Sequence, residues 1–469
     1  MIPIHGYDGQ RVAVFGLGLS GIATARALQA GGAAVAAWDD SEPARAKAAD
    51  AGVPLSDLAA ADWRDLAALV LAPGVPLTHP APHWTVERAR EAGTEVIGDT
   101  ELFFRELARS GAQARVIAIT GTNGKSTTAA LTAHLLRAAG RTVALGGNIG
   151  TAVLDLPPPG SATVYVIEFS SYQIDLTPTL RATSAALLNV SPDHLDRHGT
   201  LENYAAVKAR IFAGLAPGSR AVVGVDDAIC RAIADGLDPA LDVVRVSVLE
   251  WLRDGISVRD AALAEDAGGT TQASLDLDAA RCLRGPHNWQ NAAVAYALAR
   301  NEGLDAGEIL SGLKSFPGLA HRMEEVGRVG PALFINDSKA TNADAAARAL
   351  ACFDPIYWIA GGQAKEGGIG ELAPYHGRIA RAYLIGEAAG PFGETLAGKV
   401  DHVQCGTVEA AVAAAAGDVV RDAAPEPVVL FSPACASFDQ FPNFAVRGDA
   451  FRAAVAGLTG VVMAEREAA

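Results

Sequence analysis

Lys125 stands in the run Gly121-Thr122-Asn123-Gly124-Lys125-Ser126-Thr127, which directly follows the apolar stretch Val116-Ile-Ala-Ile-Thr120. A strand that ends in a glycine-rich turn and then opens a helix leaves backbone N–H groups pointing into a concavity. The helix N-terminus adds partial positive charge there. Lys125 brings a full charge suited to terminal phosphates, and Ser126 a hydroxyl suited to Mg²⁺. The strict phosphate-loop pattern would need glycine at 119, where this chain has Ile119. The two glycines therefore stand closer together than in a standard loop. A helix over 128–139, stopped by Gly140, is expected to follow.

Other reactive side chains fall at the ends of apolar runs. Val164-Tyr-Val-Ile-Glu168 finishes on a carboxylate, at the edge where open parallel sheets bind ligands. Glu168 suits Mg²⁺, a hard ion that takes a few carboxylates beside phosphate oxygens. A strand over 186–190 leads into Ser191-Pro-Asp-His194-Leu-Asp-Arg-His198. No cysteine or second spaced histidine pair accompanies it, which argues against a closed zinc site. In the helix that opens at Thr200, Leu201, Tyr204, Lys208 and Ile211 share one stripe. A lysine on such a face either snorkels, pairs with an acid, or loses its proton through burial. A neutral amine could take up CO₂ and become a carbamate, an oxygen ligand for a metal. Near the N-terminus, Gly16-Leu-Gly18-Leu-Ser-Gly21 follows a strand, and a second strand over 33–38 ends in Asp39-Asp40. By pattern this is a dinucleotide fingerprint and points to NAD; by physics it holds any diphosphate beside a ribose.

These residues need sheets to carry them. The chain has 469 residues, too many for one ordinary core, and alternates β-rich runs with Ala-rich helical stretches. The expected fold class is α/β with three domains. A Rossmann-like domain is expected at 1–104, a central P-loop-type ATPase sheet at 105–318, and a second Rossmann-like domain at 319–469. Strands in the last are expected at 333–336, 356–360, 382–385 and 428–431, and Pro157-Pro-Pro-Gly160 is expected to be a loop. The formal charge of −15 disfavours a nucleic-acid surface. The 5 cysteines are scattered and read as reduced thiols of a cytoplasmic protein, and neither a membrane span nor a signal peptide is expected.

The variant loop Thr-Gly-Thr-Asn-Gly-Lys-Ser resembles that of the Mur ligases and their folylpolyglutamate synthetase relatives, which join an amino acid to a carboxylate through an acyl phosphate. The resemblance runs nearly the full length and turns the first glycine turn from NAD to UDP. It implies a uridine-diphosphate substrate site at Leu19, Ser20, Asp39, Asp40, Gly74, Asn148, Ser170 and Ser171. It implies ATP contacts from Thr122, Asn123, Gly124, Lys125, Ser126, Thr127, Thr128, Asn288, Asn291, Arg322, Asp337 and Lys339. Asn288 is also of the type that caps a helix. Metal ligation falls to Ser126, Glu168, His194 and carbamylated Lys208, for two Mg²⁺ ions. Catalytic roles fall to Lys125, His194, Lys208, Asp337 and Lys339.

Two segments narrow the branch. Asn336-Asp337-Ser-Lys339-Ala-Thr341-Asn342 and Phe431-Ser-Pro-Ala-Cys-Ala-Ser437-Phe438-Asp-Gln-Phe-Pro-Asn-Phe444 are similar to those of D-glutamate-adding members. Thr341, Lys365, Ser437 and Phe444 would then hold D-glutamate, and UDP-N-acetylmuramoyl-L-alanine would be the acceptor. Gly361-Gly-Gln363-Ala-Lys365 departs from the family's Gly-Gly-Asp-x-Lys and loses the acid's charge. The expected activity is ATP-dependent amide ligation in peptidoglycan precursor synthesis, by a monomer. The alternatives are a related ligase with another amino acid, or an NAD-dependent oxidoreductase.

Overall fold

The computed structural model describes residues 1–364, 367–421 and 424–464. It divides into two compact units, Met1–Leu277 with Asn288–Lys314, and Asp278–His287 with Ser315–Ala469.

The first unit carries two sheets. β1 (Arg11–Phe15), β2 (Ala34–Trp38), β3 (Leu66–Leu71) and β4 (Glu95–Ile97) form a parallel sheet in the order β2-β1-β3-β4. The second comprises β5 (Arg115–Thr120), β6 (Thr142–Gly147), β7 (Thr163–Glu168), β8 (Ser184–Leu187), β9 (Arg220–Gly224), β10 (Asp242–Ser247), β11 (Gly255–Arg259), β12 (Ala262–Ala267) and β13 (Thr270–Asp276). Its order is β13-β12-β11-β10-β9-β8-β5-β7-β6. β5 lies inside the sheet between β8 and β7, and every residue of it after Arg115 is buried. Near-continuous apolar runs of this kind belong to strands covered on both faces. β11, β12 and β13 pair antiparallel, a departure from the purely parallel sheet expected of βα alternation.

The second unit has one sheet of β14 (Glu324–Val329), β15 (Ala332–Asn336), β16 (Ile356–Gly361), β17 (Ile379–Ile385), β18 (His402–Gly406), β19 (Val428–Phe431) and β20 (Val461–Met463). The order is β18-β17-β16-β19-β15-β14-β20. The four strands expected there are present; β14, β18 and β20 are additional, and β14 runs antiparallel to both neighbours. The Pro157-to-Gly160 segment is a loop ahead of β7. No described helix is long and apolar enough to cross a membrane.

The chemistry-bearing loops leave the C-terminal ends of β1, β5, β7, β8, β15, β16 and β19, the edges where α/β sheets bind ligands.

Candidate active site

The loop after β5 is shaped by its own backbone. Gly121 has φ 157° and Gly124 φ 83°. A Cβ on Gly121 would lie 2.9 Å from Leu188 Cβ, and one on Gly124 would overlap Asn291 Oδ1. Glycine is required at both. The helix Lys125–Ala138 begins three residues earlier than expected, so Lys125, Ser126 and Thr127 form its first turn. That places their N–H groups in the first turn of the helix, the end that carries its partial positive charge. Lys125 Nζ donates to Thr122 O at 2.8 Å. Thr128 is buried and donates to Asn291 Oδ1 at 3.2 Å, and Asn291 Nδ2 donates to Asn288 Oδ1 at 3.1 Å. The helix holding both asparagines starts at Pro286, so Asn288 lies in its first turn and is not its N-cap.

Glu168 ends β7 at 1 % exposure. Oε1 accepts from Asn148 Nδ2 at 2.8 Å, while Oε2 is buried without a hydrogen-bond partner. A buried, unpaired carboxylate oxygen is costly unless a cation satisfies it, so this position fits Mg²⁺. Lys208 is equally buried. Its Nζ donates to Gly121 O at 2.8 Å and lies 4.6 Å from the Tyr204 ring centroid. Burial, and then the charge of Lys125, push its amine down to about 7. An ammonium cannot ligate a metal, so Lys208 suits the role assigned to it only after modification. Among the described residues no three His, Cys, Asp or Glu side chains gather as a metal centre.

His194 adopts φ 51° and is half exposed; its ring lies 5.1 Å from that of Tyr172 and 3.3 Å from an Asp193 oxygen. The buried histidine is His198, which sequence reading passed over. It stacks on Tyr172 at 5.5 Å and shares a hydrogen bond of 2.9 Å with Ser171 Oγ. Burial holds its imidazole below the ordinary value. Ser170 is the N-cap of Ser171–Asp175, with a reciprocal bond to Gln173. Arg197 donates to Gly74 O at 2.7 Å and Val75 O at 2.8 Å, fixing the loop after β3.

In the first sheet, a Cβ on Gly21 would overlap Gly16 O, so the helix Leu19–Ala30 can approach the turn only with glycine there. Asp39 accepts from Leu17 N at 2.7 Å and Ser41 N at 2.8 Å, so this acid braces the turn itself. Asp40 meets His83 at 3.2 Å, Leu19 is 73 % exposed, and Ser20 borders a small cleft with Thr24 and Asp99.

The second unit gathers its residues around β15 and β19. Asp337 accepts from Ser432 Oγ at 2.8 Å and Met323 N at 3.3 Å, and burial pushes its carboxyl up to about 7 against those bonds and the nearby Arg322 charge. Lys339 Nζ lies 4.0 Å over the Phe444 ring. Ser437 is buried, and Thr341 is half-buried beside Asn342, the N-cap of Ala343–Leu350. Gln363 bridges Ala436 through its backbone at 2.9 and 3.0 Å. Lys365 lies outside the described residues. A cavity of about 220 Å³ opens beside Asn342, Gly367, Gly368 and Ala434.

A family model described as the Mur ligase middle domain matches residues 119–299, and the Mur ligase glutamate ligase domain matches 321–435. The chain belongs to the Mur ligase family. It is 58 % identical to a Nitrobacter winogradskyi protein named UDP-N-acetylmuramoylalanine–D-glutamate ligase, over 98 % of this chain and 99 % of that one. A Chelativorans protein of the same name is 56 % identical over 98 % of both chains. Among solved structures, a UDP-N-acetylmuramate–alanine ligase from Thermotoga maritima is similar with a TM-score of 0.56 at 18 % identity. It covers 94 % of this chain and 98 % of its own, a likeness of fold.

In this Mur ligase, sequence reading missed Arg447. The side chain is 1 % exposed and donates to Ser338 Oγ at 3.1 Å, Ser338 O at 2.8 Å and Ala436 O at 3.0 Å. It binds the loop after β15 to the loop after β19. No spacing signals it, because its partners lie on distant loops.

Proposed function

We propose that this Mur ligase adds D-glutamate to UDP-N-acetylmuramoyl-L-alanine at the expense of ATP, in peptidoglycan precursor synthesis. The observation that carries the substrate assignment is the similarity of 55–58 % identity, over essentially the whole chain, to relatives with that printed name. The division at 1–104, 105–318 and 319–469, a cytoplasmic setting and a monomeric state belong to the same reading.

The geometry supports the chemistry. The first-turn N–H groups and Lys125 suit the ATP phosphates, with Asn288 and Asn291 toward the nucleotide. Ser126, Glu168, His194 and Lys208 would hold Mg²⁺, which when bound offsets phosphate charge. Lys208 enters that set as a carbamate: its neutral amine adds to the carbon of CO₂ and loses a proton. The acceptor carboxylate then attacks the γ-phosphorus, the bond to ADP breaks, and an acyl phosphate forms. The D-glutamate amine attacks the acyl carbon, its nitrogen loses a proton, and the tetrahedral adduct breaks its C–O bond to phosphate, which leaves. Lys125 lies where charge develops in the first step. Arg322, Asp337 and Lys339 are assigned to the nucleotide and the acyl phosphate, and Thr341, Lys365, Ser437 and Phe444 to D-glutamate. Leu19, Ser20, Asp39, Asp40, Gly74, Asn148, Ser170 and Ser171 are assigned to the UDP substrate.

Phosphate release is the test, with ATP, UDP-N-acetylmuramoyl-L-alanine and a panel of D- and L-amino acids. Turnover is expected with D-glutamate and not with L-glutamate. Turnover with a different amino acid alone would move the chain to another branch of the family.

A further inference from the structure

The backbone N–H groups of Thr122 and Asn123 are both taken within the protein. Thr122 N donates to Asn189 O at 2.9 Å, and Asn123 N donates to Asn189 Oδ1 at 2.9 Å. Asn189 returns a bond from Nδ2 to Asn123 O at 3.3 Å, so one side chain clamps both backbone polar groups of Asn123. The same Nδ2 donates to Gln290 Oε1 at 3.1 Å, and Gln290 Nε2 donates to Asp226 Oδ2 at 3.2 Å. Gln290 is buried, and Asp226 is itself held by Ser247 Oγ and by the N–H groups of Val248 and Leu249.

This chain has a direction. An ionised carboxylate only accepts, so Asp226 forces the Gln290 amide to turn its N–H₂ toward it and its oxygen toward Asn189. That oxygen forces Asn189 to present Nδ2 to it, which leaves Oδ1 facing Asn123 N. With Asn189 reversed, its Nδ2 would face Asn123 N, donor against donor; with Gln290 reversed, its Nε2 would face Asn189 Nδ2 and its oxygen the Asp226 carboxylate. We propose that Asn189 is a positioning residue for ATP, oriented through Gln290 by Asp226, and that it holds the loop in the shape that receives the phosphates. The role rests on the assignment of ATP to residues 122–128. Its consequence is a division of labour within the loop. The N–H groups of 122 and 123 hold the turn and do not serve the phosphates.

The test uses the full-length enzyme, Mg²⁺-ADP binding by calorimetry, and separate KM values for ATP and the UDP substrate. Gln290→Met keeps the bulk but donates nothing and accepts only weakly through its sulfur. It is expected to raise the Kd for ADP and the KM for ATP by about ten-fold, the scale of one lost hydrogen bond. The KM for the UDP substrate should stay within about twofold. Gln290→Glu keeps the shape and carries the test if the methionine variant does not fold. Ionised, it sets two carboxylates against each other and should bind ADP weakly. Protonated, it offers one donor and one acceptor, so binding should recover toward the parent as the pH falls. ADP affinity within about twofold of the parent in both variants, or an equal loss at every pH, would overturn the role. A parent enzyme that binds no ADP would instead overturn the ATP assignment.

Discussion

Replacing Asp99 by asparagine is expected to stabilise this protein at neutral pH and to do nothing at low pH. Asp99 opens the helix Asp99–Ser110 and is 3 % exposed, bordering the cleft that holds Ser20 and Thr24. Two effects oppose each other on its carboxyl. The helix start favours the anion by about 0.3–1 kcal/mol, and Thr100 N donates to Oδ1 at 2.9 Å. Burial favours the acid, and it wins: the carboxyl is pushed up from 3.8 to about 6. That rise of roughly two units corresponds to about 3 kcal/mol carried by the anion in the folded state.

The sign follows from which state binds the proton. Between about pH 4 and 6 the folded protein holds it and the unfolded chain releases it, so stability falls as pH rises through this window. Asparagine keeps the shape and the acceptor for Thr100 N but has nothing to ionise. Urea unfolding followed by tryptophan fluorescence, from about pH 4 to 8, reads the difference between Asp99→Asn and the parent. The gap should be close to zero at pH 4 and should reach about 3 kcal/mol in favour of the variant above pH 7. A variant less stable than the parent at pH 8 would refute the argument, as would a gap that does not change with pH. Either result would mean that the helix start and the Thr100 bond outweigh burial.

Lys208→Arg should abolish ligation while leaving ADP binding measurable. In the parent, ¹³C-bicarbonate should give a carbamate carbon signal that the variant lacks. Gly124→Ala forces a side chain into φ 83° and into Asn291 Oδ1. A loss of at least about 1 kcal/mol in stability is expected, with a raised KM for ATP, read by urea unfolding and steady-state kinetics. Arg447→Lys keeps a cation but cannot reach three acceptors at once. The KM for D-glutamate should rise roughly ten-fold and the KM for the UDP substrate should not, because the loops it joins carry Ser437 and Lys339. Equal changes in both would argue for general loosening.

What the sequence revealed of this ligase, and what it hid, separates along one physical line. The phosphate loop was legible because its requirement sits on its own backbone: positive φ at Gly121 and Gly124 between a buried strand and a helix. Glu168 was legible as the last residue of an apolar strand, where topology alone places ligands. The antiparallel strands were not. β12 reads Ala-Leu-Ala-Glu-Asp-Ala, which has weak β character, and it is a strand because β11 and β13 pair with it on both sides. Of the two histidines after β8, only packing could say that His198 is buried against Tyr172 and Tyr204 while His194 faces outward. Arg447 is the extreme case, since its acceptors include both Oγ and O of Ser338, 109 residues away. Buried polar side chains must find partners, but the chain does not announce where those partners are. Asn123 shows the same at the phosphate loop: its N–H donates to Asn189 Oδ1, 66 residues on, a partner that its own neighbourhood in the chain does not announce.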